Sequence, residues 1–223
     1  MSAEMSAVPS AARLRITETF LSLQGEADTV GWPTFFIRLT GCPLRCRYCD
    51  TAYAFHGGEW RTVARLLDET RDSRARHVCV TGGEPLAQRP CQTLLTVLCE
   101  AGFQVSLETS GAIDASAVDA RVSRVIDVKT PGSGESHRNL ELALQGLRAA
   151  DQLKFVICNR ADYEWSRERV RNERLDARCQ VLFSPSYRQV PAGQLANWIL
   201  ADRLPVRFQI QLHKVLWGDV PGR

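Results

Sequence analysis

Three cysteines, Cys42, Cys46 and Cys49, stand in the short segment GCPLRCRYCDTAYAF. The spacing CxxxCxxC lets three thiolates converge on one centre, and thiolate donors suit both iron–sulfur clusters and zinc. A structural zinc site needs a fourth protein ligand, for which His56 is the nearest candidate; a closed ferredoxin cluster wants a fourth cysteine, and this loop has none. A cluster held by three thiolates keeps one iron open, and an open iron is a place for a ligand to bind and react. On spacing alone zinc and chance clustering stay open beside that reading. The remaining cysteines, Cys79, Cys91, Cys99, Cys158 and Cys179, are dispersed in apolar, helical or charged segments and read as small core residues.

A second motif is TGGEP, Thr81 to Pro85, directly after the apolar run HVCV. Gly82 and Gly83 allow backbone to approach a ligand where a Cβ would block it, and the Glu84 carboxylate can accept from an ammonium. LTGC after PTFFIR, ETSG (Glu108 to Gly111) after VSL, and DVKTPGSG from Asp127 after VI repeat the arrangement. Four polar motifs, each closing an apolar strand-like run, describe one rim.

The elements that hold such a rim are legible as a β/α rhythm. PTFFIRL, HVCV, QVSLE, RVIDVK, QLKFVI, CQVLF and RFQIQLH read as strands. Helical periods fall at Val63, Leu66, Leu67 and Thr70, at Cys91, Leu94, Leu95 and Leu98 with Gly102 as a stop, and near 138–149, 161–174 and 192–201. Alternation of this kind calls for parallel strands joined by right-handed crossovers. A complete eight-fold barrel takes about 250 residues, and the crossover from Ser110 to Ser123 is too short and polar for a long helix. The expectation is therefore an α/β fold: an incomplete TIM-like β/α barrel of about six parallel strands, with its chemistry at the C-terminal strand ends.

Composition bounds the remainder. The 223 residues are 44% hydrophobic and 24% charged, with a formal net charge of +3. That suits a single domain, expected over 13–223 after a disordered lead over 1–12. The charge balance gives no footprint for direct nucleic-acid binding, no run is apolar enough to span a membrane, and no export signal is evident, so a cytoplasmic location is expected. The stretch from Arg160 to Arg178 mixes both signs and reads as a solvated helix face.

CxxxCxxC with an aromatic residue before its third cysteine, followed by GGEP on the next strand end, resembles the radical S-adenosylmethionine enzymes. The resemblance implies a 4Fe-4S cluster on Cys42, Cys46 and Cys49, whose open iron is chelated by the amino and carboxylate groups of S-adenosyl-L-methionine and which cleaves it to a 5′-deoxyadenosyl radical. It also implies S-adenosylmethionine contacts at Tyr48, Cys49, Asp50, Gly83, Glu84, Gly111, Asp127, Val128 and Lys129.

ETFLSLQGEADTVG, Glu18 to Gly31, together with PTFFIRLTGCPLRCRYCDT, VTGGEP, LETSG, DVKTPGSG and QLHKVLWG, is similar to the 7-carboxy-7-deazaguanine synthase family over most of residues 16–218. That similarity implies conversion of 6-carboxy-5,6,7,8-tetrahydropterin to 7-carboxy-7-deazaguanine with loss of ammonia, a step toward queuosine. It places the substrate against Leu23, Gln24, Gly25, Glu26, Arg38, Thr109 and His213, and Mg2+ on Thr51. It further implies a reductant such as flavodoxin or ferredoxin and a homodimer. Against the family pattern, the chain continues through LWGDVPGR past the histidine region, so Arg223 receives no role. The competing readings are an activating enzyme that oxidises a glycine on a large protein partner, and a zinc-stapled binding module.

Overall fold

The computed structural model describes residues 12–222. Its strands are β1 (Arg13–Leu23), β2 (Pro33–Leu39), β3 (Glu59–Thr62), β4 (His77–Gly82), β5 (Gln104–Thr109), β6 (Ser123–Val128), β7 (Gln152–Ile157), β8 (Gln180–Pro185) and β9 (Arg207–Phe208). The helices are α1 (Val63–Asp72), α2 (Cys91–Glu100), α3 (Glu141–Gln145), α4 (Arg160–Glu173), α5 (Ala192–Asp202) and α6 (Leu212–Trp217). The strands form one sheet in the order β3-β1-β2-β4-β5-β6-β7-β8-β9. From β2 onward neighbours pair in parallel, while β1 pairs antiparallel with both β2 and β3. The sheet stays open between β3 and β9, so the expected incomplete barrel is what forms.

Strand parity divides the residues between two environments. Phe35, Ile37 and Leu39 of β2, Val78 and Val80 of β4, and Val105 and Leu107 of β5 join α1 and α2 in one apolar cluster. Ile126 and Val128 of β6, Leu153, Phe155 and Ile157 of β7, and Val181 and Phe183 of β8 pack in another with Tyr163 and Val170 of α4 and Leu195 and Ile199 of α5. The alternate residues Arg38, Thr81, Glu108, Asp127 and Lys154 face the other side and line a cavity. A slip of one residue in any strand would exchange the two sets.

Several expectations are refined. β1 and β3 were not foreseen: the alternating RLRITETFLSL adds an antiparallel edge before the first parallel strand. RFQIQLH is not a long strand. Only Arg207 and Phe208 pair with β8, because the Gln209 side chain turns aside to accept from the Ala27 N–H, and the Leu212 N–H donates to the Gly25 carbonyl and opens α6. The helix near 138–149 shrinks to α3, and no helix spans the Ser110 to Ser123 crossover. Of the expected lead, residues 1–11 lie outside the described residues, while the Ala12 carbonyl accepts from the Val63 N–H. The charged helix α4 exposes much of its surface but buries Asp162, Tyr163, Ser166 and Val170. Among the described residues no helix is long and apolar enough to cross a membrane.

At the N-terminal ends of β6 and β7, away from the cavity, Asp151 is fully buried and bonded by both Arg124 and Arg148. Burial alone would raise its carboxyl, but the two guanidinium groups outweigh that and hold it at about 2. A depressed folded-state value stabilises the fold above the unfolded carboxylate range, near 4, and that contribution is lost as pH falls toward about 2. Asp151→Asn is expected to cost about 3–5 kcal/mol in urea unfolding, because it strands the buried Arg124 charge. The acid limb of the stability–pH curve between about pH 4 and 2 should flatten in the same variant.

Candidate active site

The cavity has a volume of about 500 Å³ and opens at the C-terminal ends of the strands, within the range that small-molecule sites occupy. Cys42, Cys46 and Cys49 lie on the loop after β2, all three unpaired, part-buried and on its wall. Backbone bonds fix the loop: Gly41 donates to Ala54, Glu84 donates to the Gly41 carbonyl, Cys49 donates to Cys46, and Arg47 donates to Ser133. Arg45 crosses under it, bonding the Cys42 and Leu44 carbonyls. Burial pushes all three thiols up, Cys46 to about 11, while the Lys129 ammonium pulls each in the opposite direction. Metal binding therefore has to displace protons from these groups.

The cysteines fit a polynuclear cluster. Cys42, Cys46 and Cys49 share one wall, as a cluster in which each thiolate takes its own iron requires, and His56, the nearest candidate for a fourth zinc ligand, is not part of that wall.

TGGEP also builds the joint between β4 and the cysteine loop. A Cβ on Gly83 would lie 2.1 Å from the Gly41 carbonyl oxygen and 2.9 Å from the Cys42 Cβ. One on Gly82, at φ +149°, would meet the Leu39 carbonyl oxygen at 2.3 Å. The glycines let the end of β4 nest against the start of the cysteine loop, and Gly83 also lines the cavity. Glu84 does not line it. Its fully buried carboxylate accepts from the Leu86 and Ser110 N–H groups and from the Thr109 and Ser110 hydroxyls, which ties the ends of β4 and β5 together. Expected as a direct acceptor of a ligand ammonium, Glu84 instead spends its acceptor capacity within the protein.

Two further expected residues stand apart from the cavity wall. Val128 and Gly111 line a small hollow on the helix side of the sheet with Ile126 and Leu140, not the cavity. Strand parity sends Val128 outward because Asp127 points in, and the Gly111 carbonyl is bonded by the Leu140 N–H. All the other expected site residues line the cavity: Leu23, Gln24, Gly25, Glu26, Arg38, Tyr48, Asp50, Thr51, Thr109, Asp127, Lys129 and His213. His213 does so from α6 rather than from a strand, and its ring lies where a Gly25 Cβ would be, 2.1 Å from Nδ1.

The wall has two charged sectors. In one, Arg38 donates from Nε to Glu18 at 2.7 Å, and the same Glu18 oxygen accepts from the Tyr53 hydroxyl. Phe20 and Phe36 stack beside it at 4.9 Å. In the other, Lys154 bonds Glu26 at 2.8 Å, Lys129 pairs with Asp127 at 2.9 Å, and the Lys129 ammonium sits 5.8 Å from the centre of the Tyr48 ring. At the mouth Thr51 donates to Asp50, and Lys214 of α6 pairs with that carboxylate at 2.9 Å. Burial would raise the Asp50 carboxyl, but Lys214 overrides it and holds the group at about 2. Residues 218–222 fold over the same opening.

Sequence reasoning missed Phe20, Phe36, Tyr53, Lys154, Lys214 and Asp219 on this wall, and gave Thr81 and Glu108 only as members of their rim motifs. Parity held a signal for Thr81 and Lys154, which stand in register beside Arg38 and Asp127 respectively. Gly83→Ala is expected to lower iron and sulfide bound after anaerobic reconstitution by at least half, with the circular dichroism of the apoprotein little changed. Full cluster content in that variant would contradict the steric role given to Gly83.

Comparison with known proteins agrees with this geometry. The model of the radical SAM superfamily matches residues 36–172. The 7-carboxy-7-deazaguanine synthase of Chlorobaculum tepidum is 41% identical over 211 residues, covering 93% of this chain and 96% of the relative. That of Koribacter versatilis is 39% identical over 219 residues, covering 92% and 97%. The crystal structure of QueE from Escherichia coli aligns with a TM-score of 0.74 at 25% identity, covering 90% of this chain and 95% of that one. SuiB of Streptococcus suis, with a TM-score of 0.56 at 15% identity over 79% of this chain and 48% of its own, shares the fold alone. The chain belongs to the radical S-adenosylmethionine superfamily and, within it, to the 7-carboxy-7-deazaguanine synthase family.

Proposed function

We propose that the chain converts 6-carboxy-5,6,7,8-tetrahydropterin to 7-carboxy-7-deazaguanine with loss of ammonia. The observation that carries this reading is one cavity whose wall holds three cysteine thiols together with Arg38 and Glu26, an arginine and an acid suited to a carboxylated, donor-rich heterocycle. Superfamily membership implies a 4Fe-4S cluster and S-adenosylmethionine, which together supply a carbon-centred radical that abstracts hydrogen.

The residues divide the work. Cys42, Cys46 and Cys49 hold the cluster. Tyr48, Asp127 and Lys129 border the space next to it, where an adenosyl group with its ring and hydroxyls fits. Arg38, already fixed at Nε by Glu18, keeps its terminal nitrogens for the substrate carboxylate. Gln24 bonds the Gly25 and Glu26 N–H groups through its side-chain oxygen, setting the turn that presents Glu26 to the guanidine-like edge of the pterin. Phe20 and Phe36 offer an apolar face to the flat ring, and the tail over the mouth limits water. Thr51 and the substrate carboxylate supply hard oxygens for Mg2+, with Asp50 held ionised alongside. The reading also includes an electron donor such as flavodoxin or ferredoxin and assembly as a homodimer.

Reduced, cluster-loaded protein incubated with S-adenosylmethionine, Mg2+ and the pterin should yield 7-carboxy-7-deazaguanine by mass spectrometry. Absence of that product alongside intact cleavage of S-adenosylmethionine would reject the substrate and leave the superfamily chemistry. Arg38→Lys is expected to raise KM for the pterin by about 10- to 100-fold with a smaller change in kcat, because the fork is lost while the charge remains. Cys46→Ala should abolish cluster and turnover together, whereas Thr51→Ala should weaken Mg2+ dependence at full iron content; equal iron loss in both would refute that division.

A further inference from the structure

Lys154 sits at the centre of β7 facing the cavity, almost completely buried, and nothing in the reaction described above employs it. A buried ammonium is costly unless it is paired. Lys154 has two partners: Glu26 Oε2 at 2.8 Å and Asp127 Oδ2 at 3.8 Å. The second follows from register, since Asp127 and Lys154 are direct neighbours across β6 and β7. Asp127 in turn pairs with Lys129 through that same Oδ2. The result is a chain of alternating charge, Glu26, Lys154, Asp127, Lys129, running from the turn at Gln24 and Gly25 to the sector beside Tyr48 and Cys46.

Each carboxylate gives one oxygen to this chain and keeps the other without a partner. Glu26 Oε1 and Asp127 Oδ1 are both screened from solvent and unbonded. A buried anionic acceptor left unmatched is unfavourable in the protein by itself, and a ligand that brings a donor relieves it. The two free acceptors lie on the two ligand sides of the cavity: Glu26 on the side of the LQGE turn and Asp127 on the side of the cysteine loop.

We propose that Lys154 is a positioning residue shared by both ligand sites, holding the Glu26 and Asp127 side chains oriented so that the free oxygen of one meets ring N–H donors of the substrate and that of the other meets hydroxyl or ammonium donors of the cofactor. Exchange of Lys154 for a neutral side chain removes the ammonium that both carboxylates share, leaving Glu26 without its ion pair and Asp127 with Lys129 alone. The two binding sites then weaken together. The half of this inference that concerns Glu26 rests on the proposed pterin substrate; the half that concerns Asp127 rests only on S-adenosylmethionine.

The test is equilibrium binding to cluster-loaded, unreduced enzyme, so that nothing turns over. Lys154→Met should weaken 6-carboxytetrahydropterin by at least 10-fold and S-adenosylmethionine by at least 3-fold at unchanged iron content, and Lys154→Arg should restore most of both. Where Lys154→Met does not fold, Lys154→Gln, which still donates to Glu26 without a charge, is expected to show the same pattern at reduced size. The discriminating measurement is the pair Glu26→Gln and Glu26→Gln/Lys154→Met. If Lys154 acts through Glu26, the double variant binds the pterin no more weakly than Glu26→Gln alone; full additivity of the two losses would overturn the proposal. So would unchanged affinity for both ligands in Lys154→Met. If the wild-type enzyme binds no pterin, the substrate assignment falls, and the S-adenosylmethionine affinity of Lys154→Met still decides the Asp127 half.

Discussion

The register of β6 against β7, which seats Asp127 beside Lys154, is the constraint around which the interior is arranged. A barrel of this size is usually filled with apolar side chains, and replacing part of that filling with Glu26, Lys154, Asp127, Lys129, Arg38 and Glu108 carries a desolvation cost. Each strand meets that cost by keeping the opposite face apolar, so the helices outside supply the cohesion and the inside is free to be a site. The two large apolar clusters lie between sheet and helices, while Ala27, Val125 and Leu182 form a small third one. The cavity is therefore a direct product of strand parity, not a gap left by imperfect packing.

The loops above the sheet obey a second rule. The cysteine loop has few side-chain anchors of its own and is held by backbone bonds to neighbouring strand ends: Leu39 and Gly41 to the TGGEP turn, and Arg47 to Ser133. Ser133 belongs to a short turn that Asp162, at the start of α4, fastens through the Gly132 N–H and the Thr130 hydroxyl. In this way the thiols inherit their position from three separate βα units. Rigid support of this sort is what a multi-ligand centre requires, because small errors in thiol placement lower metal affinity.

Much of this was legible in the sequence, for identifiable reasons. The cysteine spacing, the glycine motifs and the β/α rhythm are local patterns, and the helices over Val63–Asp72 and Cys91–Glu100 follow from periodicity alone. What was not legible depends on contacts between distant residues. RFQIQLH alternates like a strand, but its fate is decided by Ala27 and Gly25, more than 180 positions away. Glu84 looks like a ligand group until Thr109 and Ser110 are seen to occupy it. Lys154 has no motif around it, and only the pairing of β6 with β7 gives it a partner.

The steric role of Gly82 and Gly83 changes what their motif can diagnose. Both glycines are required by the joint between a strand end and the loop that carries the thiols, and neither requirement refers to a substrate. A chain built on this joint has to retain the pair whatever molecule it transforms, so the motif reports architecture. Arg38, Glu26 and Lys154 on the wall below take no part in that joint, and for the substrate proposed here recognition would be set by them, free of the constraint on the mount above.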